Sequence, residues 1–299
     1  MEWAITIPRG QALEWLEELG KEQMKGPLAD VREVVEERFG PWSLTRVYFG
    51  QEFCEKALPT RKELTQALEV CQKKGMHFTL VTPYVTEEGL VKVKELLGQL
   101  AEQKPSAEVV VNDWGVLQLI AENYPALTPV LGRLLNKVLR DPRMITHLKK
   151  LTGKTLERYR KSSVTGAPME AILDKYGVRR VELDLPPQGL DEQGKRKCEL
   201  SLYLPFGVIT TGRICLMRSW GLDEKQKFMP FLGGCDRKCR FYWLEMTDIS
   251  RQVRKSKNWS ILQKGNTVFY CVQKDFLKQG LESAIKAGVS RVVIQKEPL

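Results

Sequence analysis

The sequence predicts an α/β fold of the TIM type, a barrel of eight parallel strands surrounded by crossover helices. Short apolar runs typical of buried strands alternate with longer segments of helical periodicity through the first 131 residues. This unit recurs at intervals of roughly 20–35 residues, a spacing that favours parallel strands joined by helices. Counting such runs to the end of the chain gives eight strands, the number in a TIM barrel. A doubly wound open sheet is the alternative fold.

The first five strand–helix units are regular. Their predicted strands are residues 3–7, 46–49, 76–81, 108–111 and 127–131, and their predicted helices are residues 11–19, 28–39, 63–74, 87–103 and 114–123. In the third of these helices, Leu64, Leu68 and Cys71 fall on one face. Cys71 is therefore predicted to be an ordinary buried residue of the core.

The second half is predicted to be irregular. Its strands are residues 179–183, 200–204 and 291–294, its helices are residues 169–176 and 276–286, and residues 258–273 form a hairpin around Lys264–Gly265–Asn266. The connection between the seventh and eighth strands is a long insertion. We predict a single barrel domain over residues 1–299, with a cysteine-rich insertion over residues 205–275.

Composition indicates a cytoplasmic globular protein. The chain has 42% apolar and 28% charged residues, and no stretch approaches the roughly 20 apolar residues of a membrane span. The amino terminus lacks the basic start and apolar run of a secretory signal. In the cytoplasm thiols stay reduced, so clustered cysteines are more readily metal ligands than disulfides.

The charge is unevenly distributed along the chain. Residues 1–132 carry a net charge of −6 and residues 133–299 carry +16. Residues 133–161 alone contain ten basic and two acidic residues. This pattern predicts either an anionic partner, of which RNA is the candidate, or a solvated basic surface. Nothing in the sequence points to DNA.

An aromatic run follows Arg240. Phe241, Tyr242 and Trp243 could stack on RNA bases, but the favoured interpretation of the run is a buried core strand.

Three of the seven cysteines, Cys215, Cys235 and Cys239, lie close together among glycines and basic residues. Basic neighbours hold sulfurs deprotonated, and glycines let a chain fold tightly around an inorganic group. An iron–sulfur or zinc site would need a fourth ligand. The alternative is that these are buried cysteines that act as small hydrophobes.

The barrel predicts which cysteine completes the set. Loops after the carboxyl ends of the strands meet on one face, and Cys54 follows the second strand. Cys198 precedes the seventh strand and is expected at the opposite end. Cys271, in the hairpin, is the rival of Cys54 as fourth ligand.

Four segments resemble the collagenase-like U-type peptidase family, most closely its UbiU/UbiV branch of anaerobic hydroxylation proteins. They are RVYFGQEFCEKA, which has the UbiV-like cysteine pattern, VVVNDWGVLQLI, RVELDLPPQGL with Glu182, and GRICLMRSWGLDEKQKFMPFLGGCDRKCRFYW. The resemblance implies a TIM-type barrel with a 4Fe–4S cluster on four cysteines. It also implies oxygen-independent hydroxylation of an aromatic substrate or a nucleobase, carried out directly or in support of a homologous partner subunit.

The residues and the family resemblance together give a set of candidate site residues. The predicted metal ligands are Cys54, Cys215, Cys235 and Cys239; the predicted catalytic residues are Glu182, Asn112 and Asp113; the predicted substrate-binding residues are Arg143, Arg140 and Asn136. The alternatives are an RNA-binding or RNA-modifying protein, and a peptidase-like or zinc-stabilised scaffold without redox chemistry. The two histidines, His77 and His147, belong to no G-x-S-x-G or H-E-x-x-H motif, so no serine or zinc protease constellation supports the family's peptidase name.

Overall fold

The computed structural model describes residues 1–18, 26–144, 147, 150–192, 197–227, 229, 234–246 and 259–298. The strands are β1 (Glu2–Ile7), β2 (Leu44–Gly50), β3 (His77–Thr82), β4 (Glu108–Val111), β5 (Thr128–Leu131), β6 (Arg180–Leu183), β7 (Glu199–Leu204), β8 (Phe206–Thr211), β9 (Leu244–Glu245), β10 (Trp259–Lys264), β11 (Thr267–Val272) and β12 (Val289–Ile294). Strands β1 to β7 and β12 close a barrel in chain order, and every neighbouring pair is parallel. The predicted TIM-type fold is confirmed.

The described part of the chain contains ten α-helices. They are α1 (Trp15–Glu18), α2 (Pro27–Phe39), α3 (Arg61–Lys74), α4 (Glu87–Gln103), α5 (Trp114–Asn123), α6 (Gly153–Arg160), α7 (Ala167–Lys175), α8 (Leu216–Ser219), α9 (Glu224–Lys227) and α10 (Lys274–Lys286). Helix α3 shows how the sequence sets their limits: Thr60 and Glu63 form a capping box at its start, and Gly75 ends it in the left-handed conformation. Among the described helices, none is both long and apolar enough to cross a membrane.

Several helical segments differ from prediction, among them the short helices α8 and α9, which were not predicted. The predicted helix over residues 11–19 begins as a 3-10 helix, Gly10–Glu14, and continues as α1, while residue 19 lies outside the described residues. Helix α6 was not predicted. None of its residues is buried, so it lacks the apolar stripe from which helical periodicity is recognised.

Strands β8 to β11 form a second sheet between the seventh and eighth barrel strands. The sheet is antiparallel, in the order β8-β11-β10-β9. The predicted hairpin is present, with Lys264 paired to Thr267, although residue 258 lies outside the described residues. A separate apolar cluster joins this sheet to barrel loops; it contains Phe53, Leu134, Phe206, Val208, Leu262, Phe269 and Cys271.

The barrel interior is apolar only in its middle layer. That layer contains Ala4, Tyr48, Val81, Val110, Val130, Tyr203 and Val293. Towards the amino ends of the strands, Arg291 is nearly buried and pairs with Glu2 and Glu108. Towards the carboxyl ends, Arg133 is buried between Glu52 and Asp184. Branched aliphatic residues usually fill the interior of such barrels. Buried charged side chains on both sides of a single apolar layer are therefore unusual.

Candidate metal centre

The four cysteines predicted as ligands line a single cavity of about 240 Å³. Cys54 arrives on the loop that follows β2, and Cys215 lies directly before α8. Cys235 and Cys239 belong to the later part of the insertion, where Lys238–Arg240 forms a 3-10 turn. The remaining lining residues include Pro8 and Arg9 after β1, Tyr84 after β3 and Glu297 after β12. The cavity therefore sits at the carboxyl ends of the barrel strands, where active sites of this fold lie.

The end of β2 shows why the chain can turn into this cavity. Gly50 has φ of 127°, and a Cβ at this position would lie 2.3 Å from the carbonyl oxygen of Val81. Only glycine fits there. The loop that starts at Gly50 then carries Cys54 to the cavity.

Backbone amides point at two of the sulfurs. The amide of Arg218 lies 3.5 Å from Sγ of Cys215, and the amide of Arg237 lies 3.4 Å from Sγ of Cys235. Arg237 adopts the left-handed conformation with φ of 55° to make this contact. Hydrogen bonds from amides favour the thiolate form of cysteine, which is the form that binds metals.

The four thiols are within electrostatic reach of one another. Burial raises the pKa of Cys54 and Cys215, and raises the pKa of Cys239 to about 11. Negative charge on the neighbouring cysteines adds to each of these shifts. Four thiolates in one cavity repel each other, and a positively charged inorganic group between them would reverse that repulsion.

Four cysteine thiols are a donor set that both a zinc ion and a 4Fe–4S cluster can use. Zinc would need sulfur ligands that all lie about 2.3 Å from one point. Among the described residues, no three or more His, Cys, Asp or Glu side chains form a group that could hold a metal ion. In a 4Fe–4S cluster each cysteine binds a different iron, so the sulfurs surround a larger space. Four thiols that line one cavity supply the number of donors that such a cluster uses.

The cavity wall is strongly basic. Of the described residues that line it, seven are basic and two are acidic. The basic residues are Arg9, Lys56, Arg213, Arg218, Arg237, Arg240 and Lys264; the acidic ones are Glu55 and Glu297. This excess of positive charge favours thiolates and any anionic group that they hold.

The other three cysteines lie elsewhere, as predicted. Cys71 is buried on the inner face of α3. Cys198 lies just before β7, beside Val178 and Lys197 at the opposite end of the barrel. Cys271 is buried in β11, and desolvation raises the pKa of its thiol to about 12. All three are described residues, and none lines the cavity of the other four.

Glu182 is in the barrel interior and not in a substrate cavity. Its side chain is fully buried, and its Oε1 accepts a 2.9 Å hydrogen bond from the hydroxyl of Tyr48. Its Oε2 has no hydrogen-bond partner among the described residues. Desolvation raises the pKa of Glu182 to about 7, although Arg291 and the Tyr48 hydrogen bond oppose the shift.

Asn112 and Asp113 are the other two predicted catalytic residues. Both side chains form hydrogen bonds with backbone groups of neighbouring segments. Asn112 donates to the carbonyl of Thr82 at 3.0 Å and accepts from the amide of Leu134 at 3.2 Å. Asp113 caps α5 by accepting from the amide of Gly115 at 2.7 Å, and its second oxygen accepts from the amide of Val85 at 3.1 Å.

The predicted substrate-binding residues are scattered. Arg140 pairs with Asp184 and donates to the carbonyl of Arg133 at 3.1 Å. Arg143 is exposed and makes a forked ion pair with Asp141. Asn136 is buried, with Nδ2 lying 3.5 Å from the carbonyl of Glu182. Together with Glu182, Asn112 and Asp113 they are all described residues, and none of the six lines the cysteine cavity.

Sequence reasoning missed a buried ionic cluster beneath the cavity. Arg133 is fully buried and binds both Glu52 and Asp184. In sequence it is only the first residue of a basic run, which predicted a surface position. It cannot be part of a solvent-facing anion site, so the basic segment contributes fewer free charges than expected. Lys149, which was counted in that segment, lies outside the described residues.

The favoured prediction for residues 241–243 was wrong. Phe241 is 75% exposed, and Tyr242 and Trp243 are also exposed. Tyr242 makes an edge contact with exposed Trp220, with ring centroids 5.9 Å apart. The run has the composition of a core strand but follows a 3-10 turn on the outer side of the insertion.

Known proteins give no independent guide to this site, since neither a family model nor a curated protein matches the chain.

Proposed function

We propose that this chain is an iron–sulfur protein in which Cys54, Cys215, Cys235 and Cys239 hold a 4Fe–4S cluster at the carboxyl end of the barrel. One observation carries the proposal. Two segments far apart in the sequence bring four thiols, and none of the other three cysteines, to one basic cavity. A set of four cysteine thiolates is the usual ligand set of such clusters.

When bound, the cluster would supply one-electron transfer or a Lewis-acidic iron. The protein's own residues have separate tasks. The amides at Cys215 and Cys235 favour thiolates, and the basic wall balances negative charge. Glu52 belongs to the loop that carries Cys54, and its ion pair with buried Arg133 limits movement of that loop.

The reaction class is oxygen-independent hydroxylation of an aromatic or nucleobase substrate, carried out by this chain or in support of a homologous partner subunit. Its support is the resemblance of four segments to the U-type peptidase family. The aromatic residue Tyr84 in the cavity wall is consistent with a planar substrate. A peptidase reaction has less support, because His77 and His147 are described residues that do not line the cavity.

Purification without oxygen tests the cluster. The expected result is a brown protein with about four iron and four sulfide ions per chain, and with visible absorption that bleaches in air. Stoichiometric zinc without iron or sulfide would contradict the proposal and favour the scaffold without redox chemistry. If the cluster is present, anaerobic assays with phenolic and nucleobase substrates test the reaction class.

RNA binding is the second candidate function. The exposed run Phe241–Trp243 beside Arg240 favours it, because exposed rings next to an arginine provide a surface on which bases stack. Exposed basic residues of the second half, such as Lys150, Lys154 and Arg158, would contact phosphates.

A further inference from the structure

The tip of the β10–β11 hairpin, defined here as Lys264, Gly265 and Asn266, is inserted between the cysteine segments and the barrel. Gly265 and Asn266 are the two central residues of the turn, because Lys264 pairs with Thr267. Gly265 has φ of 59°, as the favoured two-residue hairpin turns require at their first central position. All three residues of the tip line the cysteine cavity.

The side-chain amide of Asn266 bonds to both cysteine-bearing segments. Its Nδ2 donates to the carbonyl oxygen of Phe53 at 2.7 Å and to that of Gly212 at 2.7 Å. Phe53 directly precedes Cys54, and Gly212 lies shortly before Cys215. An amide nitrogen has two N–H groups, and these two carbonyls make one short contact with each.

Tyr84 adds to the same connection from the barrel. Its hydroxyl donates to the carbonyl of Gly212 at 2.6 Å and lies 3.0 Å from Nδ2 of Asn266. The Gly212 carbonyl is therefore fixed by two donors, one from the hairpin tip and one from the loop after β3. This geometry fixes the insertion on the barrel at the point where the chain leads to Cys215.

The other residues of the tip contact the remaining parts of the site. A Cβ on Gly265 would lie 3.5 Å from Cβ of Cys239, an ordinary contact distance, so the turn passes beside a predicted ligand. Nearly buried Lys264 pairs with Glu297 at 2.9 Å, and Glu297 pairs with Arg9 at 3.1 Å. These ion pairs attach the tip to the residues that follow β12 and β1.

We infer that Asn266 is a positioning residue that holds the Cys54 and Cys215 segments at a fixed separation before any inorganic group binds. The inference rests on the proposed function for the identity of that group, but the contacts themselves belong to the chain alone. Ligands on two distant loops would otherwise have to be ordered when the group binds, which lowers affinity. A residue with two N–H donors at one point avoids that cost.

Asn266→Asp is the sharpest variant, since it keeps the size of the side chain and replaces both donors with an acceptor that faces two carbonyls. Asn266→Ala removes the donors without adding repulsion, and Tyr84→Phe removes only the second donor to Gly212. Gln118→Ala, on the exposed side of α5, is the matched control. Urea unfolding and circular dichroism establish whether each protein is folded. If Asn266→Asp does not fold, Asn266→Ala and Tyr84→Phe are compared with the parent protein instead.

The first measurement uses reduced, metal-free protein and a series of bis-maleimides with increasing spacer length. Mass spectrometry of peptides gives the yield of the Cys54–Cys215 cross-link. We expect one preferred spacer for the parent protein and for Gln118→Ala. Loss of one hydrogen bond changes a local equilibrium about fivefold, so Tyr84→Phe should weaken that preference by about this factor. Asn266→Ala, which loses two hydrogen bonds, should weaken it more, and Asn266→Asp should have the largest effect.

The second measurement is the lifetime of the reconstituted cluster in air, which should shorten in the same order of variants. Folded Asn266 variants that keep the parent's spacer preference would overturn the positioning role, whether or not the cluster is bound. A parent protein that shows the preference but binds no iron and sulfide would leave the positioning role standing and remove the proposed function. The two failures are therefore distinguishable.

Discussion

The guanidinium of Arg133 makes a two-pronged ion pair with the carboxylate of Glu52, with Nη2–Oε2 at 2.5 Å and Nε–Oε1 at 3.2 Å. Both side chains are fully buried at the carboxyl end of the barrel. Asp184 binds the third nitrogen at 2.7 Å, and the ring of Tyr203 lies 3.8 Å from the guanidinium carbon. Glu52 lies two residues before Cys54, so this buried pair anchors the loop that carries a candidate ligand.

Removing Arg133 should destabilise the protein strongly. Arg133→Met would leave two carboxylates buried without their cation, which costs about 3–5 kcal/mol of unfolding free energy. Urea denaturation measures the change. The matched control is Arg143→Met, at the exposed pair with Asp141, where a loss below about 1 kcal/mol is expected. Equal losses in the two variants would contradict the burial of Arg133.

Glu182 should make the protein less stable as pH rises. Burial raises the pKa of this carboxyl from 4.5 to about 7, so the folded state keeps a proton that the unfolded state has already released. The unfolding free energy therefore falls between pH 4.5 and 7, by about 3 kcal/mol in total. Below this pH range the protonated Glu182 adds a constant amount to the unfolding free energy. Above this range that amount has been lost completely.

Glu182→Gln tests whether Glu182 causes this pH dependence of stability. Glutamine still accepts a hydrogen bond from Tyr48, but it does not titrate. Relative to the parent protein, the variant should gain about 3 kcal/mol between pH 4.5 and pH 8. Urea unfolding at both pH values gives the difference. If the difference in unfolding free energy between variant and parent is the same at both pH values, Glu182 does not titrate in this range.

Serine substitutions should separate ligand cysteines from bystanders. Serine at position 54, 215, 235 or 239 should sharply lower the iron and sulfide content of anaerobically prepared protein, since an alcohol is a poor replacement for a thiolate. Serine at position 71, 198 or 271 should leave both contents unchanged. The decisive comparison is Cys54→Ser with Cys271→Ser. Loss of the cluster from the second and not from the first would show that Cys271 is the fourth ligand.

If RNA binding occurs, it should depend on the exposed basic residues of the second half. Replacing Lys150, Lys154 and Arg158 by glutamine should flatten the dependence of log affinity on log salt by about 0.7 for each lost phosphate contact. Labelled single-stranded RNA titrated at several salt concentrations gives the slope. The matched control neutralises exposed Lys73, Lys74 and Lys104 in the first half, and it should change the slope less.

A separate variant tests base stacking. Phe241→Ala removes the most exposed ring of the run, which should weaken RNA binding by about 1–3 kcal/mol without changing the salt slope. Absence of any affinity for RNA at low salt in the parent protein would exclude this function.

The sequence by itself determined the barrel and the main ligand candidates. Each of the eight strands is marked by a local apolar run, and the regular helices by an apolar stripe, so each element is specified by residues near it in the chain. The order of strands around a barrel then follows from the order of the units. That order alone predicts that Cys54 and the insertion share one face, while Cys198 lies at the other end. Helix α6 escaped prediction because it has no buried side to mark it.

Only the tertiary structure decided which polar groups are inside. Arg133 and Glu182 look like a surface cation and a strand-end acid in sequence, yet both are fully buried, where they meet partners that are distant in the chain, Glu52 and Tyr48. Phe241 looks like a core residue but is exposed, and it follows a 3-10 turn in which no residue is buried. Asn266 contacts Phe53 and Gly212 only after the insertion has folded onto the barrel. Burial and hydrogen bonding depend on pairs of residues far apart in the chain, and no local pattern records such pairs.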